Sequence, residues 1–218
     1  LQKMIGKIKK VNFKSLLILN TFALIVTSYF FNNFFLIGVF TLFFFISLLT
    51  TKKGLEITKK LNLIQNIRTE GPANHYKKSD TPTMGGIFMI LPFLIFLLII
   101  TINSGSLNLF LLLLTIFGFF ITGFLDDYLS IKNKENTGLK TKEKFVLQSI
   151  VSIIFILLAY EKNLINPLIT ISDSWEINMN FFILPLSFLV LVGISNSVNL
   201  TDGLDGLAAG CSGIVFYG

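Results

Sequence analysis

The stretch 84-MGGIFMILPFLIFLLIITI-102 decides the fold, because it runs for 19 residues without a charged side chain. A helix rises about 1.5 Å per residue and the hydrocarbon core of a bilayer is about 30 Å thick, so an uncharged run of about 17–25 apolar residues has the length of one crossing. Outward from it, similar runs occupy Ser15–Phe31, Phe34–Thr50, Leu107–Leu125, Phe145–Tyr160 and Phe181–Val198, and a seventh begins near Gly206. Composition agrees: of 218 residues 53% are hydrophobic and 14% charged, with a mean hydropathy of +0.75, whereas about a quarter of a soluble domain is charged. Phenylalanine, present 24 times, suits hydrocarbon because it has no polar atom to satisfy. The chain therefore reads as all-α, a single polytopic transmembrane helix bundle over residues 1–218 with about six spans and the start of a seventh. Cys211 is the only cysteine and lies in an apolar run, so it reads as a small hydrophobe, and an internal disulfide is excluded.

Orientation follows from the cations. Five lysines precede Ser15, six lysines and Arg68 lie in 51–83, and five lysines lie in 126–144, leaving Lys162 as the one cation elsewhere. Lys and Arg in short loops gather on the cytoplasmic side, so residues 1–14 and loops 51–83, 126–144 and 199–205 are expected there, with 161–180 outside. This parity needs two crossings within 15–50, joined at Asn32-Asn33. The basic start reads as an anchor, since no small-residue cleavage site lies at 28–33. In the outer segment, Thr170-Ile171-Ser172 and Trp175-Glu176-Ile177 alternate as a small external β-hairpin would. A net charge of +6 is accounted for by topogenic loops and attraction to anionic lipid, without nucleic-acid binding.

Polar residues collect on the expected cytoplasmic side beyond what topology needs. Between Arg68 and Gly86 lie Gly71-Pro72, His75, Lys77-Lys78 and Thr81-Pro82-Thr83-Met84-Gly85-Gly86. The prolines interrupt any continuous helix, and the Thr and Gly residues leave amides open at a helix start, where the dipole favours an anion. A basic turn capped by Thr explains the same residues. Asp126-Asp127-Tyr128 places two carboxylates at the expected C-terminal end of a helix, where the dipole disfavours each by about 0.3–1 kcal/mol. A divalent cation or the nearby lysines would relieve this, and a solvated helix end is the plainer alternative. In Asn196-Ser197-Val198-Asn199-Leu200-Thr201-Asp202-Gly203-Leu204-Asp205-Gly206, the spacing puts Asp202 and Asp205 on one helix face. Capping would account for both carboxylates but leaves Asn196 and Asn199 unexplained.

Together these segments resemble the phospho-N-acetylmuramoyl-pentapeptide transferase family, within the polyprenyl-phosphate N-acetylhexosamine-1-phosphate transferases. Arg68-x-x-Gly71-Pro72-x-x-His75-x-x-Lys78, followed by Thr81-Pro82-Thr83-Met84-Gly85-Gly86, is similar to the family's first signature. Asp126-Asp127-Tyr128 with Gly138-Leu139, Lys144 and Gln148 is similar to the second, and Asn199 to Ala208 to the third. The likeness runs from about Phe34 to Gly218. Asp80 stands where the family usually has Gly, and Ser130 where a Lys usually follows the Asp pair. The family's later Gly-Asp loop and His-rich loop have no counterpart in these residues, so the pattern is expected to continue past Gly218, with a truncated noncatalytic form as the alternative.

The resemblance implies transfer of phospho-MurNAc-pentapeptide from UDP-MurNAc-pentapeptide to undecaprenyl phosphate, releasing UMP and forming lipid I, on the cytoplasmic side of a bacterial plasma (inner) membrane. It implies catalytic roles for Asp126, Asp127 and Asp202, and substrate contacts from Lys78, His75, Thr81, Lys144, Asn196, Asn199 and Asp205. Asp126 would meet the acceptor phosphate, Lys78 and Lys144 would neutralise the diphosphate, and His75 would order its loop. Mg²⁺ is the implied cofactor, held in part by Asp127 with its main ligand beyond Gly218. The implied partners are the two substrates and the lipid bilayer, with room for a homodimer. A UDP-GlcNAc-type transferase would not be expected to carry Thr81-Pro82-Thr83-Met84-Gly85-Gly86. A transporter would need its polar groups at the bilayer midplane, and here the carboxylates fall at the interface.

Overall fold

The computed structural model describes residues 34–61, 63, 83–133, 138–172, 175–201 and 207–217. Helix α1 is Phe34–Lys60, α2 is Gly85–Ser104, α3 is Leu107–Asn133 and α4 is Thr141–Glu161. Strands β1, Leu168–Ser172, and β2, Trp175–Asn178, follow. A 3-10 turn, Asn180–Phe182, then runs into α5, Ile183–Thr201, and α6 is Leu207–Tyr217. Each helix packs against its neighbour in sequence, and the connections from α2 to α3 and from α3 to α4 are short, as between antiparallel neighbours. Four stretches, 85–104, 107–133, 141–161 and 180–201, are long and apolar enough to cross a membrane. The polytopic helical bundle read from the charge-free runs is borne out. The run Phe34–Thr50 forms the first part of α1, α6 opens the seventh run, and the run Ser15–Phe31 lies outside the described residues.

The helices reach further than those runs. Helix α1 continues to Lys60 and α3 to Asn133, while α4 already begins at Thr141 and α5 ends at Thr201. The segments 51–83, 126–144 and 199–205, expected as loops, are thus partly helical. Hydropathy marks where hydrocarbon ends, whereas Lys, Glu and Leu are good helix formers and carry the helix on into water. One expectation changes as a result. Asp126 and Asp127 lie almost two turns before the end of α3, and the dipole penalty is confined to the last turn, so it does not apply to them.

Close approach between helices is made by small residues and hydroxyls, as in lipid, where no hydrophobic force drives helices together. A Cβ at Gly54 would overlap the Phe88 ring, and one turn away Thr50 Oγ1 donates to the Phe88 carbonyl at 2.7 Å, joining α1 to α2. Between α3 and α4, a Cβ at Gly118 would lie 2.8 Å from Val151 Cγ1. The two-residue turn from α2 to α3 closes on Gly105, whose φ of 60° is left-handed and whose N–H donates to the Thr101 carbonyl at 3.0 Å. The hairpin forms where alternation places it, antiparallel, with Ile169 opposite Ile177 and Thr170 opposite Glu176. Leu94, Leu97, Leu111, Ile156, Ala159, Ile183 and Val192 make a thin core, and residues such as Ile154, Phe182 and Leu189 point outward, the surface a bilayer would cover.

Candidate active site

Helices α2 and α3 turn at Gly105-Ser106, so Gly85 and Asp126 each lie about 20 residues from that turn, or about 30 Å along antiparallel helices. The start of α2 and the Asp126 level of α3 therefore share one end of the bundle. There Asp126 is held from two sides. The Leu139 N–H donates to its Oδ1 at 2.9 Å, and Lys144 Nζ donates to its Oδ2 at 2.6 Å, with the Asp126 side chain 25% and the Lys144 side chain 16% exposed. A charge-assisted bond of this length in a half-dry setting is among the stronger kinds. The turn that delivers Leu139 depends on Gly138, because a Cβ there would overlap the backbone carbonyl of Asp126. The start of α4 is fixed in turn by the Lys140 N–H, which donates to Glu143 Oε2 at 2.9 Å. Lys144, in the first turns of α4, would be disfavoured by the helix dipole on its own; Asp126 offsets that.

One turn further along α4 stands Gln148, 2% exposed. Asn196 Nδ2 donates to Gln148 Oε1 at 2.8 Å and to the Val192 carbonyl at 2.9 Å, and Gln148 Nε2 donates to Ser195 Oγ at 3.1 Å. A buried polar group between membrane helices is tolerable when paired in this way. Helix α4 thus turns Lys144 toward α3 and Gln148 toward α5. Ser152, the next residue of that stripe, is fully buried, and its hydroxyl has no partner among the described residues.

Of the residues expected in the site, the structure brings Asp126 and Lys144 into direct contact and ties Asn196 to α4. Asp127 is half-buried beside Asp126, and Asn199 is exposed on α5. Because Asn196 pairs with Gln148, Asn199 lies close to the level of Lys144. Lys78, His75, Thr81, Asp202 and Asp205 lie outside the described residues. At the start of α2, Met84 is buried with a φ of 64°, and the Thr83 N–H donates to the Leu63 carbonyl at 3.0 Å. A non-glycine residue in this left-handed region costs about 1–2 kcal/mol, and such outliers cluster at functional sites. Among the described residues, nothing lies within 4 Å of a Cβ at Gly85 or Gly86. Among the described residues no group of three or more His, Cys, Asp or Glu gathers to hold a metal ion.

Three contributors escaped the sequence reading: the Leu139 amide, the Ser195 hydroxyl and the interhelical role of Gln148. A backbone donor leaves no side-chain signature. Ser195 did carry a signal, as the first of three adjacent polar residues, Ser195-Asn196-Ser197, at the end of an apolar run.

Residues 109–218, half of the chain, match Glycosyl transferase family 4. The chain belongs to that family. Within glycosyl transferase family 4, residues 78–90 also match Phospho-N-acetylmuramoyl-pentapeptide-transferase signature 1, which falls on Lys78 to Gly86 of the first motif and the opening of α2. The chain is 84% identical over 215 residues to a phospho-N-acetylmuramoyl-pentapeptide-transferase of Prochlorococcus marinus strain MIT 9312, covering 99% of this chain and 60% of that protein. It is 56% identical over 217 residues to the protein of the same name from strain MIT 9515, with 100% and 60% coverage. To the one from Halalkalibacterium halodurans it is 39% identical over 175 residues, 79% of this chain and 54% of that protein. The resemblance read from the motifs is borne out, and the chain spans about 60% of the length of its Prochlorococcus relatives.

Proposed function

We propose that this family 4 chain forms the larger part of an enzyme that transfers phospho-MurNAc-pentapeptide from UDP-MurNAc-pentapeptide to undecaprenyl phosphate, releasing UMP and leaving lipid I in the bilayer. The observation that carries the reading is the Asp126–Lys144 pair, set at the end of a membrane bundle where a lipid phosphate and a nucleotide can meet. The name shared by its relatives and the signature at 78–90 support the choice of donor. Seventeen of the 18 cations lie in segments that the sequence reading expects on one side, which supports placing that end at the cytoplasmic face of a bacterial plasma membrane.

In the reaction an oxygen of the acceptor phosphate bonds to the sugar-linked phosphorus of the donor, and the bond from that phosphorus to the bridging oxygen breaks, the oxygen leaving on UMP. Such transfers ask the protein for position and for charge stabilisation. A phosphomonoester has a second pKa near 6, so at neutral pH the acceptor is largely dianionic and is already a nucleophile. Lys144 carries three N–H donors and gives one to Asp126, which leaves two for phosphate oxygens. Asp126, with an oxygen on Lys144 and the other on the Leu139 amide, holds that ammonium in place. Lys78 and Thr81, in the signature segment, and His75 just before it are assigned to the donor side, with Asn199 on α5 and, as the resemblance implies, Asp202 and Asp205. Mg²⁺ takes one or two protein carboxylates and completes its shell with water and phosphate oxygens; Asp127, which the resemblance implies for this role, would be one of them. Bound there, it would neutralise diphosphate charge.

The test uses the chain completed with the part of its strain MIT 9312 relative that it does not span, reconstituted with undecaprenyl phosphate. UMP and a lipid-linked product are expected from UDP-MurNAc-pentapeptide. Product from UDP-GlcNAc instead would reassign the donor, and release from neither would overturn the reading.

A further inference from the structure

Val192 fixes the polarity of the bonds between α4 and α5. Its backbone carbonyl can only accept, so the Asn196 atom facing it at 2.9 Å is the amide nitrogen. The second proton of that nitrogen goes to Gln148 Oε1 at 2.8 Å, which turns Gln148 Nε2 toward Ser195 Oγ at 3.1 Å. Both Asn196 protons are thereby committed, and its Oδ1 is the atom left to face a ligand. Gln148, 2% exposed, is too buried to reach one itself. Asn196 is half-buried, one helical turn before Asn199 and the end of α5.

We propose that Gln148 is a positioning residue for the donor substrate: together with the Val192 carbonyl it holds Asn196 as a hydrogen-bond acceptor, so that Asn196 meets a hydroxyl or N–H of the nucleotide-sugar and not one of its phosphate oxygens. The inference rests on the transfer reading above. A phosphate oxygen opposite Oδ1 would set acceptor against acceptor, whereas sugar hydroxyls and the uracil N–H donate. With Gln148 removed, the Val192 carbonyl is the one acceptor left on the Asn196 nitrogen, so the amide loses its second anchor and its oxygen is held less firmly toward the donor.

The experiment measures KM separately for UDP-MurNAc-pentapeptide and undecaprenyl phosphate, with thermal stability in detergent, in the completed chain carrying Gln148→Leu, Asn196→Ala or both. One oriented hydrogen bond is worth about tenfold in affinity. Gln148→Leu is therefore expected to raise the donor KM about tenfold and leave the acceptor KM unchanged. In the Asn196→Ala background the same change is expected to add less than about twofold, because residues acting as one unit are not additive. If Gln148→Leu does not accumulate in membranes, Gln148→Glu decides, since charged or protonated it keeps an acceptor for Asn196; a donor KM within about threefold of the parent supports the inference and a tenfold rise overturns it. With the parent active, an unchanged donor KM, an equal loss for both substrates, or an effect that persists beside Asn196→Ala overturns it. A parent that releases no UMP refutes the transfer reading, and this inference falls with it.

Discussion

Replacing Gly138 by alanine adds one methyl group at a position that no charge-based reading would single out. The Cβ would overlap the carbonyl carbon and oxygen of Asp126, and because that neighbour is helix backbone it cannot swing aside as a side-chain tip would. The turn must move away from α3 instead, which draws the Leu139 N–H off Asp126 Oδ1, now 2.9 Å away. A hydrogen bond to a charged group is worth about 1.5–3 kcal/mol. If that orientation is what holds Lys144 toward phosphate in the transition state, the loss corresponds to about 10- to 150-fold in rate. The assay is UMP release by the completed chain, with membrane insertion checked by protease protection. Gly123→Ala and Gly193→Ala serve as controls: both face open space inside helices, where alanine is favoured by about 1 kcal/mol over glycine, and both should stay within about twofold of the parent. Turnover by Gly138→Ala within twofold of the parent would refute the claim that this turn sets the geometry of Asp126.

Ser152→Ala should stabilise the protein, since it removes a fully buried hydroxyl without a partner among the described residues; about 1 kcal/mol corresponds to a rise of about 2–4 °C in thermal midpoint for a chain of this size, and a fall would show that the hydroxyl is bonded. A cysteine at position 172, in the hairpin, should react with a membrane-impermeant maleimide in intact cells, whereas one at position 142, beside the proposed site, should react only after permeabilisation. The reverse pattern would invert the orientation read from the lysines.

The spans were legible because a bilayer imposes a minimum length on uncharged runs, and the hairpin because Thr170-Ile171-Ser172 and Trp175-Glu176-Ile177 alternate. The helix ends were not. Residues 51–60 and 126–133 are polar enough to leave hydrocarbon yet remain helical, so reading the edge of the membrane as the edge of the helix put Asp126 and Asp127 under a dipole that does not act on them. In the site, the residue types were legible and their pairings were not. Asp126 and Lys144 are 18 positions apart and meet only because Gly138 lets the connecting turn fold against α3. Asn196 looked like a ligand group on spacing alone, and only the bonds to Val192 and Gln148 show that its nitrogen is already spent on holding two helices together.

The account centres on Asp126 as the group that fixes the Lys144 ammonium, and Asp126→Asn in the completed chain tests this most directly. Asparagine keeps the size and can still accept from the Leu139 amide, but it carries no charge to hold the lysine. UMP release from UDP-MurNAc-pentapeptide is expected to fall by at least about a hundredfold, the lower range for removing one electrostatic group at a charged transition state, with membrane insertion intact. Turnover within a few-fold of the parent would contradict the account.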